Sequence, residues 1–111
     1  MELPLEISPQ EVAQRRASGE SLSLVDVREA FEFSIARIEG SELVPMNSIP
    51  AAIGKLEGKA NEALLVTICH HGARSLNVAA WLRNQGISNC TSMAGGIDRW
   101  SIEVDPSVPR Y

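Results

Sequence analysis

The chain has 111 residues, 44% hydrophobic and 22% charged, with a formal net charge of -4. That size fits one domain over residues 1–111 with its own core, and the composition excludes a weakly hydrophobic, highly charged disordered chain. The acidic balance argues against a nucleic-acid surface, which needs a basic face, and no apolar run is long enough to span a bilayer. The first residues, Met1-Glu2-Leu3-Pro4-Leu5-Glu6, lack the basic start and apolar stretch of a leader, so the expected location is cytoplasmic.

Ser8-Pro9 reads as an N-cap followed by proline at the first helical position, and Gly19 as the end of that helix. Leu22 to Val27 is a short β-branched run and is expected to be a strand. Glu29 to Ile35 reads as a short helix with an apolar and a wet side. Leu43 to Met46 reads as a brief edge strand, where Pro45 is tolerated. Ile49 to Leu56 is expected to form a second short helix closed by Gly58. Leu64 to Ile68 is apolar at nearly every position, as a strand buried on both faces should be. Ser75 to Gln85 reads as a strong helix ended by Gly86. Asn89 to Met93 reads as the last strand, and Gly95-Gly96 leads into a helical turn through Trp100. The tail, Glu103 to Tyr111, should be extended. Strands alternating with helices imply an α/β fold with a mainly parallel sheet, in which ligands bind beyond the carboxyl ends of the strands.

Chemistry concentrates in Cys69-His70-His71-Gly72-Ala73-Arg74-Ser75, between the clearest strand and the clearest helix. Such a loop can turn its backbone N–H groups toward one point, where the helix N-terminus adds partial positive charge. A cysteine at its start is then favoured as thiolate, the nucleophilic form. Gly72 permits a sharp turn, Arg74 offers a positive charge at the rim, and Ser75 can cap the helix or donate to the sulfur. His70 and His71 either tune the thiolate and help bind substrate or are plain surface histidines. Three adjacent ligands do not readily close a tetrahedron, so no metal is expected. The second cysteine, Cys90, falls in a strand and reads as a small hydrophobe; two cysteines make no disulfide framework.

These residues carry a resemblance. Cys69 to Ser75 is similar to the CxxGxRS active loop of rhodanese-like domains. Leu24-Val25-Asp26-Val27-Arg28-Glu29 resembles that family's LIDVRE strand, and Ala94-Gly95-Gly96-Ile97 with Trp100 its GGIxxW ending. The family's GHIPGA segment is replaced here by Ala36-Arg37-Ile38-Glu39-Gly40-Ser41. The resemblance implies a five-stranded, mainly parallel sheet flanked by helices on both faces. It also implies a sulfurtransferase in which Cys69 takes a sulfane sulfur from a donor such as thiosulfate, as a persulfide. Cyanide, a thiol or a sulfur-carrier protein would then accept that sulfur, with no cofactor. The tail resembles rhodanese domains joined to adenylating enzymes of sulfur-carrier pathways. Asp26 and Arg28 either line the site or fix loop geometry as an ion pair, and the structural role is the favoured one. Two alternatives remain: a phosphatase or arsenate reductase of similar fold, whose loop places arginine one residue further from the cysteine, and a non-catalytic binding module.

Overall fold

In the computed structural model, which describes residues 3–111, one five-stranded sheet organises the chain. The leader expectation for Met1 and Glu2 lies outside those residues. Strands β1 (Glu6–Ile7), β2 (Leu22–Asp26), β3 (Glu42–Leu43), β4 (Leu64–Ile68) and β5 (Cys90–Met93) run in the order β1-β5-β4-β2-β3. Every pairing is parallel, which sharpens the mainly parallel expectation. The central strand, β4, is buried throughout and matches β2 residue for residue, from Leu22 opposite Leu64 to Asp26 opposite Ile68. Its unbroken apolar run is what a strand covered on both faces requires.

Helices α1 (Pro9–Ala17), α2 (Ala30–Ile35), α3 (Ile53–Glu62), α4 (Ala73–Asn84) and α5 (Gly96–Glu103) alternate with the strands. The core divides into two layers. Leu65 packs with Leu56 and Ala60 of α3 and with Val78, Ala79 and Leu82 of α4. Val66 and Ile68 pack with Val12 of α1 and with Ile97 and Trp100 of α5. Successive residues of β4 thus serve opposite layers, as the alternation of side chains along a strand dictates.

Helix α1 begins as its sequence indicates: Ser8 Oγ accepts from the Glu11 amide at 3.1 Å, and Pro9 takes the first helical position. Other boundaries differ. The edge strand is Glu42–Leu43, not Leu43 to Met46, and Met46 already lies in a 3₁₀ turn. A second 3₁₀ turn, Pro50–Ala52, precedes α3, which then runs through Gly58 to Glu62. Gly58 does not end it, because Leu56 and Ala60, four residues apart, bury the same face against the sheet. Helix α4 starts at Ala73 with Gly72 as its N-cap, so Ser75 sits inside the first turn and caps nothing. Helix α5 continues to Glu103, beyond the single turn expected. Strand β1 has two residues and no readable period. The tail is not simply extended: Asp105 Oδ1 accepts from the Ser107 amide and hydroxyl in a turn, Val108 is buried, and the chain returns to the Cys69–Ser75 loop at Tyr111, whose ring stacks on His70.

Candidate active site

Cys69 directly follows the central strand and is 1% exposed. Its Sγ accepts from the Gly72 amide at 3.1 Å and from the Ser75 amide at 3.3 Å. The thiol also contacts Ser75 Oγ at 3.3 Å. Two convergent N–H groups and one hydroxyl surround a single sulfur, an arrangement suited to holding negative charge there. Ser75 Oγ is itself 2.7 Å from Ser92 Oγ on β5, and Thr67 Oγ1 donates to the Ser75 carbonyl at 2.9 Å. All three hydroxyl residues are buried, so the side of the cradle away from solvent is a closed polar network.

The loop cannot relax, because two glycines press it into shape. Gly72 has φ of 106°, and a Cβ there would come within 2.9 Å of the Gly95 nitrogen. Gly96 has φ of 63°, and its Cβ would come within 2.5 Å of the Cys69 carbonyl oxygen. That close approach lets the first turn of α5 grip the loop: the Ile97 amide donates to the Cys69 carbonyl at 2.8 Å and the Asp98 amide to the His70 carbonyl at 3.1 Å. Gly95-Gly96 therefore serves backbone contact, and the loop lies between the N-termini of α4 and α5.

Asp26 and Arg28 act as a buried scaffold. Arg28 is 0% exposed, and its Nη2 donates to Asp26 Oδ2 at 2.7 Å and its Nε to Asp26 Oδ1 at 2.9 Å. The remaining guanidinium N–H groups go to the carbonyls of Glu32 and Ala36 and to the Tyr111 hydroxyl. Burial alone would lower the Arg28 pKa; the hydrogen bonds that Arg28 donates to Asp26 and Tyr111 outweigh it and raise it. No donor is left to meet a substrate.

Arg74 holds its charge at the rim in an ion pair. Its Nη1 and Nη2 donate to Glu32 Oε1 and Oε2 of α2 at 2.8 and 3.0 Å, the forked geometry of a guanidinium on a carboxylate. Arg74 thus ties the loop to α2. Glu32 also accepts from the Tyr111 hydroxyl at 2.8 Å and from the Glu29 amide at 3.1 Å. The spacing of Glu29 and Glu32 at the start of a helix carried a capping signal, but neither Tyr111 nor Ser92 had any local mark.

His70 and His71 take different places. His70 is half-buried between the rings of His71 and Tyr111, each with centroids 3.9 Å away. Burial, and next the neighbouring His71, lowers its pKa, which favours the uncharged imidazole. His71 is exposed, with Nε2 4.0 Å from Asp98. His70, His71 and Asp98 bring their donor atoms within 4.8 Å of one another. The two rings are stacked, however, and Asp98 is held by Arg110 at 2.8 Å, so the group forms a stacking and ion-pair cluster rather than a ready set of metal ligands.

Glu32→Gln is expected to lower stability at neutral pH and flatten its acid dependence. The Glu32 carboxyl is held down at about 2, chiefly by Arg74; burial opposes this, and the Glu29 amide and Tyr111 hydroxyl reinforce it. An unfolded glutamate titrates near about 4.3, so the stabilisation is complete above that pH and is lost as pH falls toward the folded value. It amounts to at most about 3 kcal/mol, reduced by solvent screening at the partly open Arg74 side. Urea midpoints followed from neutral to acid pH should fall in that window for the parent and much less for the variant. Identical slopes would show that the pair contributes nothing.

The chain matches the Rhodanese-like domain family over residues 8–103. It is 33% identical to the thiosulfate sulfurtransferase GlpE of Pseudomonas aeruginosa, over 85% of this chain and 81% of that protein. It is 31% identical to the probable adenylyltransferase/sulfurtransferase MoeZ of Mycobacterium tuberculosis, over 95% of this chain but 26% of that protein. The chain spans only 20 to 30% of the length of the first curated relatives it matches. A rhodanese-related protein of Thermoplasma volcanium superimposes with a TM-score of 0.81 at 26% identity, covering 97% of this chain and 100% of that one. With the motifs in order along one parallel sheet and the match running from Ser8 to Glu103, the chain belongs to the rhodanese-like domain family.

Proposed function

We propose that the protein is a sulfurtransferase that carries sulfane sulfur on Cys69. The observation that carries this reading is the cradle around Sγ, where the amides of Gly72 and Ser75 and the Ser75 hydroxyl converge on one sulfur. The likeness to GlpE, named a thiosulfate sulfurtransferase, supports it. The Cys69 thiolate attacks the outer sulfur of a donor such as thiosulfate. A new S–S bond forms, the old one breaks, and sulfite leaves with its electron pair, while Cys69 becomes a persulfide anion held by the same N–H groups. A nucleophilic acceptor then takes the terminal sulfur and returns the thiolate: cyanide becomes thiocyanate, and a thiolate, on a small molecule or on a protein, becomes a persulfide. The likeness to MoeZ, named a probable adenylyltransferase/sulfurtransferase, also supports sulfur transfer. Neither step draws on a metal or an organic cofactor.

The cradle favours sulfur over phosphate. Arg74 comes five residues after Cys69 and is engaged by Glu32, so it does not face an oxyanion. Incubation with thiosulfate should add the mass of one sulfur atom to Cys69, removable by cyanide, with negligible hydrolysis of aryl phosphates. Efficient phosphate-ester turnover without a cyanide-labile adduct would refute the reading.

A further inference from the structure

Three long side chains leave the Cys69–Ser75 loop: His70, His71 and Arg74. Tyr111, distant in sequence, meets one of them directly and another through its partner. Its ring lies flat on His70, with centroids 3.9 Å apart and planes 9° from parallel. Its hydroxyl donates to Glu32 Oε2 at 2.8 Å, the same oxygen that accepts from Arg74 Nη2 at 3.0 Å. The footing for both contacts is rigid. The hydroxyl accepts from Arg28 Nη1 at 2.7 Å, and Arg28 is enclosed and bonded to Asp26 at the end of β2. The Arg28 guanidinium carbon also stands 5.6 Å from the centre of the Tyr111 ring.

His70 has a reason to leave its place. Its Nε2 is buried and, among the described residues, has no hydrogen-bond partner. Leaving such a group unbonded costs about 1–3 kcal/mol, which water would return if the ring swung outward. His71, on the other face of the ring, is itself exposed and makes a loose barrier. The Tyr111 ring, fixed on Arg28, is the firmer wall. On the opposite flank Arg74 is partly open to solvent, and the phenol holds Glu32 in the orientation that receives its fork.

We propose that Tyr111 is a positioning residue for sulfur transfer, bracing the loop at His70, next to Cys69, and at Arg74, next to Ser75, so that the Gly72 and Ser75 amides stay aimed at Sγ. The inference rests on the sulfurtransferase reading and adds to it a residue that acts through others. Tyr111 exchanges no proton or sulfur. Its effect is on geometry, and a reacting group misplaced by about 1 Å loses on the order of a hundredfold in rate.

The test follows a single turnover: loading of Cys69 by thiosulfate, then unloading by cyanide, each rate taken to saturation. Tyr111 lies outside both buried apolar clusters, so replacing it spares the core. Tyr111→Leu should lower the saturating rates by about tenfold or more, while the half-saturating concentrations move by less than about twofold. Tyr111→Phe keeps the ring on His70 and loses only the hydroxyl contacts, so its rates should fall between those of the parent and Tyr111→Leu. In a His70→Ala background the ring has nothing to brace, and Tyr111→Leu should then be no slower than Tyr111→Phe. Asp105→Ala removes the acceptor for Ser107 in the tail's turn. It should lower the melting temperature and leave the saturating rates unchanged. Parent-like rates in both Tyr111 variants, an equal loss in Asp105→Ala, or an undiminished gap between Leu and Phe at 111 without His70 would overturn the proposal while leaving sulfur transfer standing. Absence of a cyanide-labile adduct on Cys69 of the parent would instead overturn the sulfurtransferase reading itself.

Discussion

Cys69→Ser is expected to reduce sulfur transfer to background, a loss of about a thousandfold or more, while Cys90→Ser keeps most of it. Serine fits the same cradle and keeps the amide contacts from Gly72 and Ser75, so the fold survives. Its hydroxyl is far less acidic than a thiol, however, and an oxygen in that place cannot hold the transferred sulfur as a persulfide. Cys90 has none of this surrounding. It is fully buried on β5, its thiol directed to the carbonyls of Ile87 at 3.3 Å and Ala79 at 3.6 Å. Burial pushes the Cys90 thiol up, more than the nearby Arg83 pulls it down. Steady-state turnover of thiosulfate with cyanide, and counting of cyanide-labile sulfur per chain, would separate the two. A dead Cys90 variant beside an active Cys69 variant would show that the site has been assigned to the wrong sulfur.

Asp26→Ala should be the most damaging substitution for stability outside the hydrophobic core. It leaves the Arg28 guanidinium in place without its counter-charge, and removing one partner of a fully buried pair typically costs about 3–5 kcal/mol. For a domain of this length that is a large share of the total, expected at about 5–15 kcal/mol, and should lower the melting temperature by about 15 °C or more. Relief through water is blocked, because Arg28 is enclosed and its other donors are fixed on the Ala36 and Glu32 carbonyls and on Tyr111. Asp26→Asn retains volume and one acceptor and should cost less. Activity should fall in both variants, since Asp26 lies opposite Ile68, one residue before Cys69. A thermal melt of Asp26→Ala within a few degrees of the parent's would sink the argument and return Asp26 and Arg28 to a role in substrate contact.

The phenol of Tyr111 ties these two ion pairs together. Its pKa is pushed up to about 12, first by burial, with Glu32 adding and Arg28 opposing, so the hydroxyl keeps its proton at neutral pH. It therefore donates to Glu32 while accepting from Arg28 at 2.7 Å. Asp26, Arg28, Glu32, Arg74 and Tyr111 form one chain of contacts from β2 through α2 to the reactive loop.

The amino-acid sequence by itself determined the alternation of strands and helices, the doubly buried central strand, the strand-to-helix loop with Cys69 at its start, and the need for small residues at Gly72, Gly95 and Gly96. Each is a local property. Hydrophobic period is written over a few consecutive positions, and a left-handed backbone demands glycine wherever it occurs. Tertiary structure alone decided the rest. The partner of Arg74 is Glu32, 42 positions away, and sequence offers no means of choosing among fourteen acidic residues. Ser92 reaches Ser75 only because β5 pairs with β4, and Tyr111 reaches His70 only because the tail folds back past Val108. The two residues of β1 join the sheet through register with Ser92 and Met93, not through any pattern of their own. Charge pairing, hydroxyl networks and short edge strands depend on which segments the parallel sheet brings to one end, and that is settled by packing over the whole chain.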